Sequence, residues 1–256
     1  MKNFIKRYSS PELFIIALLS LTPLLWLNSR EIVMGHDSGF RIDPQMHLEK
    51  LIYSWDETYG FGNDWSILKG FLVTQFPEAL FTAITGSVAF GQRLTFIFWF
   101  FLMGISIYLF MFAFFPHPKY WFMRLMASIL YMYNFFLLQA WFIVERAKFS
   151  VYAAFPLGLL TMIKTLNGSW SLLRGTIVFT LISFFLNGGG NPTLYGFLLL
   201  GYGIISLVFI VRYLLGKKYR MLIRTVTAII LFGIGFVVIN AYWVFPQVSL
   251  ARNSYT

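Results

Sequence analysis

The sequence predicts an all-α protein: a polytopic integral membrane helix bundle of about seven transmembrane helices, with an extracytoplasmic helical loop after the first span. Three observations predict it. Of the 256 residues, 58% are hydrophobic and 20% aromatic. Only 12% are charged, about half the share in a soluble domain, and mean hydropathy is +0.70. Eight of the ten acidic residues fall between positions 31 and 78, leaving Glu12 and Glu145 outside. One polar island thus interrupts an apolar chain, and carboxylate chemistry must draw largely on that island.

The net charge of +10 would point to nucleic acid in a soluble chain. Here the basic residues cap membrane helices and face anionic lipid, so membrane lipids are the expected partners and nucleic acid is not. Cysteine is absent. That excludes a disulfide framework, a Cys-ligated metal and a thiol nucleophile, and leaves the redox compartment open.

The first span is expected over about 13–27. Lys2, Lys6 and Arg7 precede it, and no small-residue cleavage site follows. The N-terminus is therefore expected in the cytoplasm of a multi-pass protein of the cell membrane. In the island, Asp43-Pro44 reads as a helix start, with Asp as N-cap and Pro at the first helical position. Leu48, Leu51, Ile52 and Trp55 then form one apolar stripe, with His47, Glu49, Lys50 and Ser54 facing away. A helix lying on the membrane surface fits this pattern. Gly60-Phe61-Gly62-Asn63-Asp64 breaks it.

Further spans are expected near 94–115, 121–141, 150–164, 173–187, 193–213 and 225–246. Residues 71–90 are apolar, but Pro77-Glu78 interrupts them and Gly86 and Gly91 follow. Charge decides how to read them. If this stretch does not cross, the loops at 116–124, 164–174 and 212–224 lie in the cytoplasm with nine Lys and Arg residues, as the positive-inside bias requires. Residues 71–90 are therefore expected to be re-entrant or surface-lying, and the loop 31–93 extracytoplasmic. No internal repeat is evident. The chain stops just past the last span, as if it were the N-terminal part of a longer transmembrane domain.

Gly35-His36-Asp37-Ser38-Gly39-Phe40 is the sharpest candidate for chemistry. A carboxylate just beyond a rigid span end, open to water and headgroups, is placed to take a proton from a hydroxyl. The competing reading of Asp37 is an Asx-turn before a permissive Gly. Asp43 is explained by its capping role. Glu78 lies in an apolar stretch and needs a cavity or a partner, for which Arg93 or Lys69 are at hand, or else it sits at the headgroup level. His36, His47 and Asp37 are possible ligands for a divalent cation, though their spacing matches no motif. Glu145-Arg146-Ala147-Lys148 offers cations to a phosphate or forms an interfacial ion pair. In Asn187-Gly188-Gly189-Gly190-Asn191-Pro192, Gly N–H groups and a helix N-terminus could hold an anion, or the glycines could simply make a turn.

The quoted segments "DPQMHLEKLIYSWDETYGFGND", "TQFPEALF", "QRLTFIFWFFLMGISIYLF", "NGGGNPT" and "AYWVFPQVSLARNSY" resemble the N-terminal part of GT-C membrane glycosyltransferases. The likeness is to the α-(1→3)-arabinofuranosyltransferase-like branch. It rests on Asp43-Pro44, Trp55-Asp56, Gly60-Phe61-Gly62, Gly189-Gly190-Asn191, Trp243, Pro246 and Arg252. The resemblance implies sugar transfer from a polyprenyl-phosphate donor to a glycan or lipid acceptor of the cell envelope. It also implies a first-loop catalytic base at Asp37, with Asp43 as the alternative. The donor phosphate would sit near Arg146, Lys148 and the turn of Gly189 and Asn191. Other candidates are Glu78, His36 and Glu145; no metal site is assigned, although a divalent cation is possible.

Two other classes compete. A flippase or transporter for lipid-linked oligosaccharides predicts polar residues facing one another along several spans. A non-catalytic scaffold predicts that the island tolerates loss of its acids.

Overall fold

The computed structural model describes residues 11–25, 31–34, 41–53, 55–56, 63–64, 66–134 and 146–253. Within them the chain forms α1 (Pro11–Leu19), α2 (Pro44–Ile52), α3 (Leu72–Thr85), α4 (Val88–Phe114) and α5 (Trp121–Met132). It continues with α6 (Arg146–Leu166), α7 (Leu172–Phe185), α8 (Pro192–Leu215), α9 (Tyr219–Ile239) and α10 (Ala241–Asn253). Among the described residues the strand structure is a two-rung antiparallel ladder, β1 (Trp55–Asp56) with β2 (Asn63–Asp64). It brackets the predicted break at Gly60-Phe61-Gly62, which lies outside the described residues.

Four helices are long and apolar enough to cross a membrane: α4, α6, α8 and α9. This is fewer than the seven spans expected. The apolar stretch Pro11–Leu25 and helix α7 are shorter. The 14 residues of α7 rise about 21 Å against a hydrocarbon core of about 30 Å. Of the expected 121–141 span, helix α5 accounts for Trp121–Met132, and residues 135–141 lie outside the described residues. The expected 225–246 span is two helices. Asn240 ends α9, its Nδ2 donating to Phe236 O and its Oδ1 accepting from Trp243 Nε1. A side chain that bonds the backbone on one side and the next helix on the other breaks the ladder.

Residues 71–90 are a hairpin corner. Helix α3 ends at Gly86, whose φ of 63° suits the left-handed cap. Ser87 then caps α4, its hydroxyl accepting from Phe90 N. The long helix therefore begins six residues before the expected 94. At 14 residues, α3 is too short to span as a straight helix.

Helix α4 carries the centre of the core. Phe96, Trp99, Phe100, Met103 and Tyr108 are fully buried and join Phe149, Ala153 and Ala154 of α6. Small residues set the closest helix approaches, as expected where lipid replaces water as the surroundings. Tyr202 of α8 reaches over Gly158 of α6, where a Cβ would collide with its hydroxyl, and donates to Ala154 O at 3.1 Å. Gly175 meets Thr165 and Gly235 meets Thr180 in the same manner. Leu200 and Leu207 of α8, with Ile223 and Ile230 of α9, stay exposed. An apolar exterior of this kind belongs in hydrocarbon.

At one end of the bundle a buried ion pair fastens α1 to α5. Glu12 pairs with Arg124, and both side chains are shielded from solvent. Arg124 also donates to Phe115 O at the end of α4 and to His117 O in the turn that follows, and stacks over the Phe112 ring. Removing one partner of a buried pair strands the other charge. Glu12→Gln is accordingly expected to destabilise the protein by about 3 kcal/mol, read as an earlier thermal unfolding in detergent. An unchanged midpoint would contradict the clamp.

Candidate functional site

The island begins as expected. Asp43 caps α2, its carboxylate accepting from Met46 N at 2.9 Å, and Pro44 occupies the first turn. The buried face of α2 differs from the expected stripe. It consists of Pro44, His47 and Leu51, whereas Ile52 and Trp55 are exposed. The helix ends at Ile52 and Tyr53 is extended, so Trp55 drops out of the helical phase. Asp64 accepts from Ser66 N, and this bond holds its carboxyl below the usual carboxylate range. It starts the 3-10 segment Ser66–Phe71.

Glu78 is 1% exposed in the middle of α3. Its partner is neither Arg93 nor Lys69, as the sequence suggested, but Arg146, itself 3% exposed. Helix α6 starts at Arg146, earlier than the expected 150. The two cations expected in a loop, Arg146 and Lys148, therefore stand in the first turn of a long helix. Burial pushes the Glu78 carboxyl up, from its ordinary 4.5 to about 7. The Arg146 guanidinium and a backbone N–H of Arg41 pull it the other way.

The same first turn of α6 receives the glycine turn. Gly188, Gly189 and Gly190 all have φ near 65°, a conformation open to glycine. Their N–H groups point inward, each with a partner. Gly188 N donates to Ser150 Oγ at 3.0 Å and Gly189 N to Asn187 Oδ1 at 3.0 Å. Gly190 N donates to Asn187 O and Asn191 N to Gly188 O, both at 3.2 Å. Asn191 caps α8 with its own side chain, and Pro192 opens the helix. The N–H groups expected to greet a phosphate are thus already used. Space is also gone: a Cβ on Gly70 would lie 2.5 Å from Gly190 Cα, and one on Gly190 would meet Gly70 and Trp243. The turn is a packing node that joins α6, α8, α10 and the 3-10 segment.

Three further residues hold this end together and were not singled out from the sequence. Gln92 of α4 clasps the backbone of Val33, its Oε1 accepting from Val33 N at 2.6 Å and its Nε2 donating to Val33 O at 3.0 Å. Arg41 acts on Glu78 electrostatically, lowering the pKa of its carboxyl, and Ser150 Oγ accepts from Gly188 N. The signal for Gln92 was a polar side chain in an apolar helix; Arg41 gave none. His36 and Asp37, and Glu145 beyond them, lie outside the described residues. Of the possible cation ligands only His47 is described, and no three His, Asp or Glu side chains gather among the described residues.

Four Ser and Thr hydroxyls in the long helices turn back on their own backbones. Ser106 donates to Met103 O, Thr161 to Leu157 O, Thr165 to Thr161 O and Ser206 to Tyr202 O. Compared with protein-family models, with curated proteins and with solved structures, the chain matches none.

Because the folded state holds the Glu78 proton more tightly than an unfolded chain, the linkage has a definite sign. Its stabilising contribution is complete below 4.5 and is lost as pH rises through about 7. Unfolding temperature in detergent is expected to fall between about pH 5 and pH 8, and Glu78→Gln to flatten that slope. An equal slope in the variant would remove Glu78 as its source.

Proposed function

We propose that the chain is part of a GT-C-type membrane glycosyltransferase that uses a polyprenyl-phosphate sugar donor on the outer face. The acceptor is a cell-envelope glycan or lipid. The observation that carries this reading is the fastening on both sides of residues 35–40. Val33 is clasped by Gln92, and Arg41 meets the Glu78–Arg146 pair. Asp37 belongs to the stretch of sequence between these two points, and its carboxylate is the group proposed to exchange a proton with a bound substrate.

In the proposed reaction Asp37 takes the proton of the acceptor hydroxyl. The acceptor oxygen forms a bond to the anomeric carbon, and the bond from that carbon to the phosphate oxygen breaks. Polyprenyl phosphate departs with the electron pair. Its charge asks for a cation rather than a general acid. Arg146, paired with Glu78, and the half-buried Lys148 are the two cations of that turn proposed for this role. Ser106, Thr161, Thr165 and Ser206 bond their own helix backbones, so these four hydroxyls are not offered to a transport path.

The test is transfer in membranes from labelled polyprenyl-phosphate sugars, with the protein in its full reading frame. Wild type is expected to form product, and an equally abundant Asp37→Asn variant to lose about 100-fold or more of the rate. Transfer that survives moves the base to Asp43 or Glu78. No transfer from any donor defeats the enzyme reading and favours the transporter.

A further inference from the structure

Among the described residues Arg93 is a buried charge for which no ion pair is found. It is 7% exposed, and its Nε and Nη2 are buried without a hydrogen-bond partner. The ion pairs described elsewhere use Glu12 for Arg124 and Glu78 for Arg146. A guanidinium stays protonated at any accessible pH, so burial cannot neutralise it as it can a lysine. An uncompensated buried cation is costly, and its position raises the cost. Arg93 is the sixth residue of the 27-residue helix α4, within reach of the positive end of the helix dipole.

Helical side chains lean toward the N-terminus of their own helix. The guanidinium of Arg93 therefore lies over the opening turn of α4, where Val88 and Ala89 are partly exposed. Next to it, the Gln92 clasp on Val33 fixes the chain that passes this turn. Further along the same face of α4 come Phe96 and Phe100, both fully buried in the core. The surroundings combine an unspent planar donor fork, a helix N-terminus and an apolar wall. Each of the first two favours an anion, and a fork of this shape matches phosphate.

We propose that Arg93 is an anion-binding residue that takes the phosphate of a phosphate-bearing ligand at the N-terminal turn of α4. The assignment concerns binding and does not depend on sugar transfer. Two sources share the chemistry, a lipid-borne phosphate monoester and free phosphate.

The experiment follows thermal unfolding of the full chain in detergent with farnesyl phosphate, farnesol or inorganic phosphate, for wild type, Arg93→Lys and Arg93→Met. Farnesyl phosphate is expected to raise the unfolding temperature of wild type, and farnesol not to. Arg93→Met is expected to weaken that binding by about 10- to 100-fold, with Arg93→Lys between the two. Without ligand, Arg93→Met is expected to be at least as stable as wild type, because it removes a stranded charge. Protection by inorganic phosphate as well assigns the site to free phosphate, and protection by farnesyl phosphate alone assigns it to lipid. An equal shift with farnesol, an undiminished shift in Arg93→Met, or a large loss of stability in unliganded Arg93→Met would each overturn the proposal.

Discussion

The buried contact between Glu78 and Arg146 is the constraint on which the polar end of this bundle depends. It joins the middle of α3 to the first turn of α6, two segments 68 positions apart in the chain. Once Arg146 is held there, Ala147 and Ser150 are fixed as the floor for the glycine turn. That turn in turn receives Gly70 and Trp243. A pair of this kind adds little net stability, since desolvating two charges offsets their attraction. What it supplies is position. Glu78 has one good partner within the apolar bundle, so α3 can take one depth and one rotation against α6.

A second pair does similar service for short elements at the other end. Helix α1 has nine residues, and its apolar side chains alone would let it slide along the bundle. The contact of Glu12 with Arg124 stops that, and Arg124 donates to two carbonyls just after α4 in the same place. Helices α6 and α8 meet where Tyr202 crosses Gly158, and α7 meets α6 and α9 through Gly175–Thr165 and Gly235–Thr180, close contacts made without charge. Both buried ion pairs involve a short helix, α1 with α5 and α3 with α6. Arg93 departs from this pattern: it is buried, though less deeply than the paired arginines, with two donors unspent.

Local chemistry made parts of this architecture legible in the sequence. Asp43-Pro44 and Asn191-Pro192 start helices because both the cap and the proline act within four residues. Gly86 ends α3 and lets α4 begin at Val88, a boundary that hydropathy alone put later because residues 88–93 include Gly91, Gln92 and Arg93. The partner of Glu78 was not legible. Arg93 and Lys69 are nearer in sequence, and nothing local marks Arg146 as a residue that turns inward. The glycine turn misled for a related reason. Three glycines offer donors to a ligand or close contact to another backbone, and the choice rests with Gly70, which is more than a hundred residues away. The stripe on α2 failed because periodicity was carried past the end of the helix.

The measurement closest to the central claim is a double-mutant cycle on the unfolding of the membrane-extracted protein with Glu78→Leu, Arg146→Leu and both together. Glu78→Leu strands the Arg146 charge and Arg146→Leu leaves a buried carboxyl without its partner, and each is expected to cost about 3–5 kcal/mol. The double variant, which strands none, is expected to unfold at a higher temperature than either single variant. Losses that simply add would contradict the account, because they would mean that the two residues act independently and that the polar end is held by something else.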